Sequence, residues 1–246
     1  MIIEDRVKFI VNWIRDYCYS IKKRPDTLVI GISGGIDSAV TSALSAQTGI
    51  KTIAVSMPIK QKQELHNLSL RHLQWLKTNY NNVETKVINL DDTFSIFNKT
   101  MKEFNNELAF ANSRSRLRMM TLYQIAQSNH GLVVGTGNKI EDFGVGFYTK
   151  YGDGGVDIAP IADCTKSEVI EMGVVMNILK DIIKAKPTDG LWNDNRTDED
   201  QLGLTYEQIE EAMKDQSSRF YEKYKKIREK NLHKILPIPV CKFEEF

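Results

Sequence analysis

The sequence predicts an α/β fold with an open, mainly parallel sheet and helices on both of its faces. Short β-branched runs alternate with longer segments of helical periodicity from the N-terminus to Thr136. Such alternation is typical of a parallel sheet that is covered on both sides. The chain has 246 residues, of which 41% are hydrophobic, so it is long enough to bury a substantial core.

The elements of this sheet follow in order from local signals. Apolar residues at helical spacing predict an amphipathic helix over residues 3–23. The run after Pro25 is β-branched and predicts a buried strand, and Gly49 ends the Ala- and Ser-rich helix that follows. The same signals predict strands at residues 27–33, 51–57, 83–90 and 132–136, and further helices at residues 37–47, 64–77, 93–104 and 112–127.

The C-terminal part is predicted to be mostly helical, with helices at residues 165–172, 177–184, 206–213 and 219–230. Residues 186–203 interrupt this pattern with an acidic stretch that is too poor in apolar residues to order itself. Long loops of this kind are often binding loops, so we expect a lid here, with Trp192 as its large aromatic residue. No linker marks a second domain, and residues 1–246 are predicted to form one domain.

Composition narrows the classes of function. Lysine and arginine number 33 against 32 acidic residues, a formal charge of +1. This balance gives no support for a nucleic-acid partner, which normally requires a basic surface. The apolar runs are too short for a bilayer, so we expect no membrane association. Cys18, Cys164 and Cys241 are widely spaced and odd in number, which favours a reducing, cytoplasmic location without disulfides.

The most informative segment is the loop between the first strand and the second helix, where open α/β sheets bind ligands. Gly34 and Gly35 can take positive φ and let backbone N–H groups approach an anion. Ser33 and Ser38 add hydroxyl donors, and the helix adds its positive N-terminal end. These features suit a phosphate and also a plain Gly-rich turn. The segment comprises Gly31, Ile32, Ser33, Gly34, Gly35, Ile36, Asp37 and Ser38.

Asp37 favours the phosphate site over the plain turn. A carboxylate beside phosphates is repulsive unless a cation lies between them, and Mg²⁺ prefers oxygen ligands. The loop lacks the lysine of GxxxxGK[ST], and its SGGIDS segment resembles the SGGxDS loop of the ATP-pyrophosphatase family. This resemblance implies an adenine nucleotide alpha hydrolase-like, Rossmann-like fold, in which the loop holds pyrophosphate as the leaving group while AMP is transferred to an oxygen.

Further segments are similar to one branch of that family, the NAD synthetases. GTGNKIED and TKYGDGGVD follow the fourth strand, and KPTDGLW, TDEDQLGLTYEQIE and HKILPIPV follow in order. The similarity extends from the first strand almost to the C-terminus. It implies that ATP adenylylates the nicotinic acid carboxylate of deamido-NAD. Ammonia then displaces AMP, so that the products are NAD, AMP and pyrophosphate.

The resemblance also implies which residues bind ATP. They are the whole loop at residues 31–38 together with Thr136, Lys166 and Thr188. Lys166 is in addition expected to be catalytic, because a lysine near the reacting phosphorus would neutralise the charge that builds there. The alternative for Lys166 is an exposed lysine in the first turn of a helix, where a cation is disfavoured by the helix dipole.

Two carboxylates are expected to hold Mg²⁺. Asp37 comes from the loop, and Glu141 matches the glutamate of the family's GTGNK-x-E segment. Lys150 follows Glu141 by nine positions, where the family pattern has eight, so Asp142 is an alternative second ligand. Glu141 is preferred because its spacing from the strand end agrees with the family.

Basic side chains are expected around the pyrophosphate of the dinucleotide. Arg114 and Arg118 are interpreted as a solvated helix face, and the histidines outside the motifs receive no role. Asp153, which lies between glycines, is expected nearest the ammonia, where it would hold ammonium or accept a proton; a turn-capping aspartate is the alternative. For deamido-NAD the family match gives Arg116, Lys150, Asp157, His233 and Lys234.

The expected partners are ATP, deamido-NAD and free ammonia, because no separate glutaminase domain is recognisable. The family resemblance implies a homodimer that completes the substrate site across its interface. The predicted helix at residues 112–127 is rich in apolar residues, and we expect the two-fold contact there. Three alternatives stay open: amidation of nicotinic acid mononucleotide, a tRNA-modifying ATP pyrophosphatase, and a nucleotide-binding module without catalysis.

Overall fold

The computed structural model describes residues 1–61, 63–185 and 197–243. Within these ranges four strands form one sheet in the order β3-β2-β1-β4, and every pairing is parallel. The predicted parallel sheet is therefore confirmed, although each strand ends before its predicted last residue. The strands are β1 (Thr27–Gly31), β2 (Lys51–Ser56), β3 (Val83–Val87) and β4 (Gly131–Val133).

The helices follow the predicted order with altered ends. None in the described ranges is long and apolar enough to cross a lipid bilayer. The described residues contain α1 (Ile3–Ser20), α2 (Ile36–Gln47), α3 (Gln63–Asn79), α4 (Asp91–Thr100), α5 (Glu107–Ser128), α6 (Lys166–Val175), α7 (Lys180–Lys184), α8 (Asp198–Leu202), α9 (Tyr206–Lys214) and α10 (Tyr221–Ile235), with a 3₁₀ turn at Lys102–Phe104 and a π-helix at Lys139–Val145.

Capping explains two differences from the predicted helices. Helix α5 begins five residues earlier than predicted, because the Asn106 side chain accepts a hydrogen bond of 2.9 Å from the backbone N–H of Ala109. Helix α8 lies inside the stretch that was expected to lack order. Thr197 and Asp200 form a capping box at its start, and Leu202 is buried. For residues 197–203 the prediction of an unordered loop is wrong.

Both faces of the sheet are covered, as predicted. Leu28 and Ile30 point from β1 into a core shared with α1, α2, α3 and α6, and Val29 points into the opposite core beneath α4 and α5. This alternation follows from the two-residue period of a strand. A third cluster joins the π-helix to α8, α9 and α10, with Ile140 and Ile209 at its centre.

The connectivity places the loop after β1 at the point where the order of the strands reverses. Strand β1 pairs with β2 on one side and with β4 on the other. The loop after β1 therefore lies outside the carboxyl ends of the strands at a topological switch point, where open α/β sheets bind ligands. The π-helix follows β4 and approaches the same edge.

Candidate active site

A cavity of about 770 Å³ lies at this edge of the sheet. Its walls come from the loop after β1, from α5, from the segment after β4 and from α10. It brings together most of the predicted site residues, namely the eight loop residues 31–38 with Thr136, Glu141, Lys166, Asp153, Arg116, Lys150, His233 and Lys234.

Among the predicted site residues in the described ranges, Asp157 does not line this cavity. It is engaged by α5 and β4 instead. The Tyr123 hydroxyl donates to Asp157 Oδ1 at 3.0 Å, and the Val133 backbone N–H donates to Oδ2 at 2.7 Å. Thr188 lies outside the described residues, as does most of the predicted lid with Trp192.

The loop after β1 makes a tight turn from the strand into α2. Gly34 has a φ of +96°, which favours glycine, whereas Gly35 has a φ of −86° and takes the N-cap position of α2. Ser33 Oγ and Ser38 Oγ lie 3.1 Å apart, and the Ser38 hydroxyl donates to the Gly35 carbonyl at 2.9 Å. The two serines thus brace the turn and point their hydroxyls at the start of the helix.

A buried lysine joins the two predicted metal carboxylates. Lys166 Nζ lies 2.5 Å from Asp37 Oδ2 and 2.8 Å from Glu141 Oε1. Lys166 is the first residue of α6, whose start is fixed by a capping box between Thr165 and Glu168. Only 4% of Lys166 is exposed, so the alternative of an exposed first-turn lysine is wrong.

The electrostatics of these three groups are strongly coupled. Burial alone would lower the pKa of Lys166, but the adjacent Asp37 and Glu141 carboxylates outweigh burial and raise it above its usual 10.5. Burial raises the pKa of Asp37, with a further increase from the charge of Glu141. Burial acts on Glu141 in the same sense, but Lys166 and the surrounding hydrogen bonds outweigh it and lower the pKa of that carboxyl. The ammonium is therefore the fixed charge of the group.

Two positioning side chains escaped the sequence analysis. Asn138 is fully buried; its amide donates to Asp37 Oδ1 at 3.2 Å, and its carbonyl oxygen caps the π-helix by accepting from the N–H groups of Ile140 and Glu141. An asparagine just before a helical segment is a capping signal that indicates its backbone role. The Tyr206 hydroxyl donates to Glu141 Oε1 at 2.5 Å, a contact across the chain that local sequence does not encode.

Asp142 of the π-helix and Asp153 of the later turn form a second acidic group, because the charge of Asp153 acts on Asp142. A Cβ atom at Gly137 would lie 1.9 Å from Asp142 Oδ2, so only glycine fits there. Burial, followed by the charge of Asp153, raises the pKa of Asp142 well above its usual range. Asp153 is open to the cavity, and its Oδ1 accepts from the Ser115 hydroxyl at 2.6 Å and the Thr149 N–H at 3.1 Å. Asp142 therefore lies beside Gly137 and Asp153, whereas Glu141 contacts Lys166 and Tyr206.

The interpretation of Arg114 and Arg118 as a solvated face is wrong. Both are half-buried, because α5 packs its flank against α4 and the β2 end. The Arg118 Nε–H donates to the Met57 carbonyl at 3.0 Å, and Arg118 lines the cavity. Burial, reinforced by the charge of Arg114, lowers the pKa of Arg118 to about 10. The guanidinium of Arg114 lies 5.5 Å from the centre of the Phe94 ring.

Helix α10 braces the segment that carries the predicted substrate residues. Lys234 Nζ donates to the Tyr148 carbonyl at 2.9 Å, and Lys150 Nζ donates to the His233 carbonyl at 3.2 Å. The Arg116 Nε–H reaches the Lys150 carbonyl at 3.2 Å. Three cationic side chains from three elements thus meet at one end of the cavity, which suits an anionic substrate.

The donor set near the loop is compatible with Mg²⁺. No group of three His, Cys, Asp or Glu residues in the described part of the chain is arranged as a complete metal site. Mg²⁺, however, is usually bound by one or two carboxylates together with substrate phosphates and water. Asp37 and Glu141 converge on one point, and Lys166 neutralises only one of their two charges.

Fold and site together define an α/β enzyme whose candidate nucleotide site lies at the switch point of a parallel sheet. The comparison with known families agrees with this class, because the family model described as NAD synthase matches residues 6–242. The chain belongs to the NAD synthase family.

Individual relatives match over most of their length. The NH(3)-dependent NAD(+) synthetase of Mesoplasma florum is 36% identical over 240 residues, which are 96% of this chain and 93% of the relative. That of Mycoplasmopsis pulmonis is 37% identical over 212 residues, or 85% of this chain and 78% of the relative. The solved structure of the NMN synthetase from Francisella tularensis superposes with a TM-score of 0.90 at 32% identity, covering 99% of this chain and 100% of that one.

Proposed function

We propose that the protein is an ammonia-dependent NAD synthetase that joins ammonia to the nicotinic acid carboxylate of deamido-NAD at the expense of ATP. The observation that carries the proposal is the buried Asp37–Lys166–Glu141 group beside an SGGIDS loop. A non-catalytic nucleotide-binding module has no use for two carboxylates and an ammonium buried at the phosphate end of its ligand.

The first step is adenylylation of the carboxylate. A carboxylate oxygen of deamido-NAD attacks the α-phosphorus of ATP, the bond from that phosphorus to the bridging oxygen breaks, and pyrophosphate leaves with the electron pair. The loop at residues 31–38 and Lys166 would hold the phosphates, and the ammonium would offset the charge that develops on the reacting oxygens. Thr136 and Thr188 belong to the same ATP site by resemblance.

A magnesium ion held by Asp37 and Glu141 would supply further charge neutralisation when bound. Asp37 Oδ1 already accepts a hydrogen bond from the Asn138 amide. Glu141 Oε1 accepts one from the Tyr206 hydroxyl. Glu141, rather than Asp142, is proposed as the second ligand, because Glu141 shares Lys166 with Asp37 whereas Asp142 packs against Gly137.

The second step is amide formation. Ammonia attacks the acyl carbon, the bond from that carbon to the adenylate oxygen breaks, and AMP leaves while the nitrogen loses a proton. Asp153 is proposed to hold ammonium or to accept that proton, since one oxygen is fixed by Ser115 and Thr149 and the side chain opens to the cavity. Arg116, Lys150, His233 and Lys234 are proposed to bind the dinucleotide. Asp157 enters this proposal by resemblance alone.

Product analysis tests the proposed function. The purified protein, supplied with ATP and Mg²⁺, is expected to form AMP, pyrophosphate and NAD in equal amounts when deamido-NAD and ammonium are both present. Omission of either substrate is expected to stop NAD formation. Release of ADP and orthophosphate, or turnover that ignores deamido-NAD, would refute the proposal.

A second candidate is amidation of nicotinic acid mononucleotide, which the printed name of one similar structure, the Francisella tularensis NMN synthetase, suggests. The same chemistry applies, because the reacting carboxylate is identical and only the adenylate half of the acceptor is missing. The two candidates are separated by kcat/KM measured for both acceptors under the same conditions. A preference for the mononucleotide would replace the first proposal.

We further propose a homodimer. On α5, Leu122 is buried in the core of its own chain, and Leu117, Tyr123 and Ile125 pack partly against that core. Much of the apolar surface assigned to the dimer is therefore used within one chain. Met120 is 63% exposed. We therefore propose that the two-fold contact on α5 includes Met120.

A further inference from the structure

Tyr206 contacts two members of the buried Asp37–Lys166–Glu141 group, namely Glu141 and Lys166. Its hydroxyl donates to Glu141 Oε1 at 2.5 Å and lies 3.3 Å from Asp198 Oδ2. Its ring centre lies 5.0 Å from Lys166 Nζ, within the range of a cation–π contact. The side chain is 6% exposed, so these contacts are made away from bulk water.

The position of the ring is fixed by elements that are separate from the sheet. Tyr206 opens α9, and its backbone N–H donates to Glu199 Oε1 of α8 at 3.0 Å. Thr205 and Gln208 form a capping box at the same helix end. The ring also packs in the cluster that contains Ile140 of the π-helix. Because α8 and α9 hold the tyrosine from outside, its hydroxyl provides a fixed point for the Glu141 carboxylate.

We propose that Tyr206 is a positioning residue for the metal carboxylate Glu141, acting through its hydroxyl, and that its ring separately orients Lys166. The inference rests on the proposed function, because it takes Glu141 as a ligand of Mg²⁺. Partners that hydrogen-bond to a metal ligand set its orientation, and their removal costs roughly 10- to 100-fold in metal affinity.

The reason lies in how the Glu141 carboxylate is shared. One oxygen, Oε1, accepts from both Lys166 and Tyr206. A divalent cation and the lysine ammonium compete for the same carboxylate, since both are positive. The tyrosine hydroxyl is neutral and holds the carboxylate in place without such competition. Without the hydroxyl, Lys166 would be the remaining donor of the two to Oε1, and the carboxylate would lose the neutral contact that fixes its orientation.

The test uses two substitutions at Tyr206 and one matched control. Tyr206→Phe removes the hydroxyl and keeps the ring beside Lys166, whereas Tyr206→Leu removes both. Tyr224→Phe is the control, because Tyr224 is 8% exposed, belongs to the same apolar cluster and loses the same atom. Thermal unfolding of each variant separates a general loss of packing from a local effect.

The first readout is binding of Mn²⁺ in the presence of α,β-methylene-ATP, measured by electron paramagnetic resonance without turnover. Tyr206→Phe is expected to weaken Mn²⁺ binding roughly 10- to 100-fold, and Tyr224→Phe is expected to bind as the wild type does. The second readout is the Mg²⁺ dependence of NAD synthesis. Tyr206→Phe is expected to require more Mg²⁺ and to regain most of its kcat at saturation, whereas Tyr206→Leu is expected to lose kcat at every concentration.

Three results would overturn the inference. They are unchanged Mn²⁺ binding in Tyr206→Phe, an equal loss in Tyr206→Phe and Tyr224→Phe, and absence of Mn²⁺ binding in the wild type. Failure of the proposed function has a different signature. In that case Tyr206→Phe would still weaken Mn²⁺ binding relative to the control, but the wild type would form no NAD.

Discussion

The buried histidine beneath the phosphate-loop helix makes stability depend on pH in a predictable way. His72 of α3 has no exposed surface, and its Nε2 lies 2.9 Å from the Ser42 hydroxyl of α2. Its ring stacks on Trp75 at 5.4 Å. Burial lowers the pKa of His72 from 6.5 to about 4. The structure thus assigns a thermodynamic role to a histidine that the sequence analysis left without one.

The sign and size of this pH dependence follow from the linkage between proton binding and folding. The pKa of His72 is lower in the folded chain than in the unfolded one, so the unfolded chain binds more protons between the two values and stability rises with pH. The contribution of neutral His72 to the free energy of unfolding is fully present above pH 6.5 and is lost as the pH falls through 6.5 towards 4. For pKa values of 6.5 and about 4, the loss between pH 7 and pH 5 is about 2 kcal/mol.

The assay is urea unfolding at pH 7, 6 and 5 for the wild type and His72→Gln. Glutamine keeps a polar group near Ser42 but does not titrate, so the variant is expected to lose about 2 kcal/mol less than the wild type over this range. His130→Gln is the control, because it removes a histidine that is exposed. An unchanged pH dependence in His72→Gln, or an equal change in His130→Gln, would refute the reasoning.

Further predictions concern the site and the assembly. Asp37→Asn is expected to lower AMP formation roughly 100-fold or more while circular dichroism stays unchanged; normal turnover would exclude Asp37 as a metal ligand. Glu141→Gln is expected to raise the Mg²⁺ concentration needed for half-maximal rate much more than Asp142→Asn does, and the reverse order would assign the metal to Asp142. Met120→Glu is expected to shift sedimentation from dimer to monomer at micromolar concentration, whereas a wild type that sediments as a monomer would contradict the dimer.

The sheet and the phosphate loop were predictable because their signals are local. β-branched runs, Gly49 as a helix end and the SGGIDS segment each act over a few residues. Local signals do not bring Asp37, Glu141 and Lys166 together, since 129 positions separate Asp37 from Lys166. Their place in one site was predicted from the family resemblance. The structure adds the physical link, which is an ammonium buried between two carboxylates.

What the sequence did not reveal depends on contacts between distant elements. Tyr206 reads as an ordinary core position of an amphipathic helix, and only the packing of α9 against the π-helix shows that its hydroxyl meets Glu141. Arg118 appeared to belong to a solvated face because charge was taken as a sign of exposure. Helix α8 was missed because five residues carry little periodicity, although the Thr197 capping box was visible in the sequence.

The path of the substrate oxygen tests the central claim, that the loop retains pyrophosphate while AMP is transferred to the carboxylate. Deamido-NAD labelled with ¹⁸O in both carboxylate oxygens is incubated with ATP, Mg²⁺ and ammonium, and the phosphates are analysed by mass spectrometry. Each AMP is predicted to carry one ¹⁸O atom, NAD to retain the other, and pyrophosphate to carry none. Label in orthophosphate, or AMP that carries no label, would contradict the account.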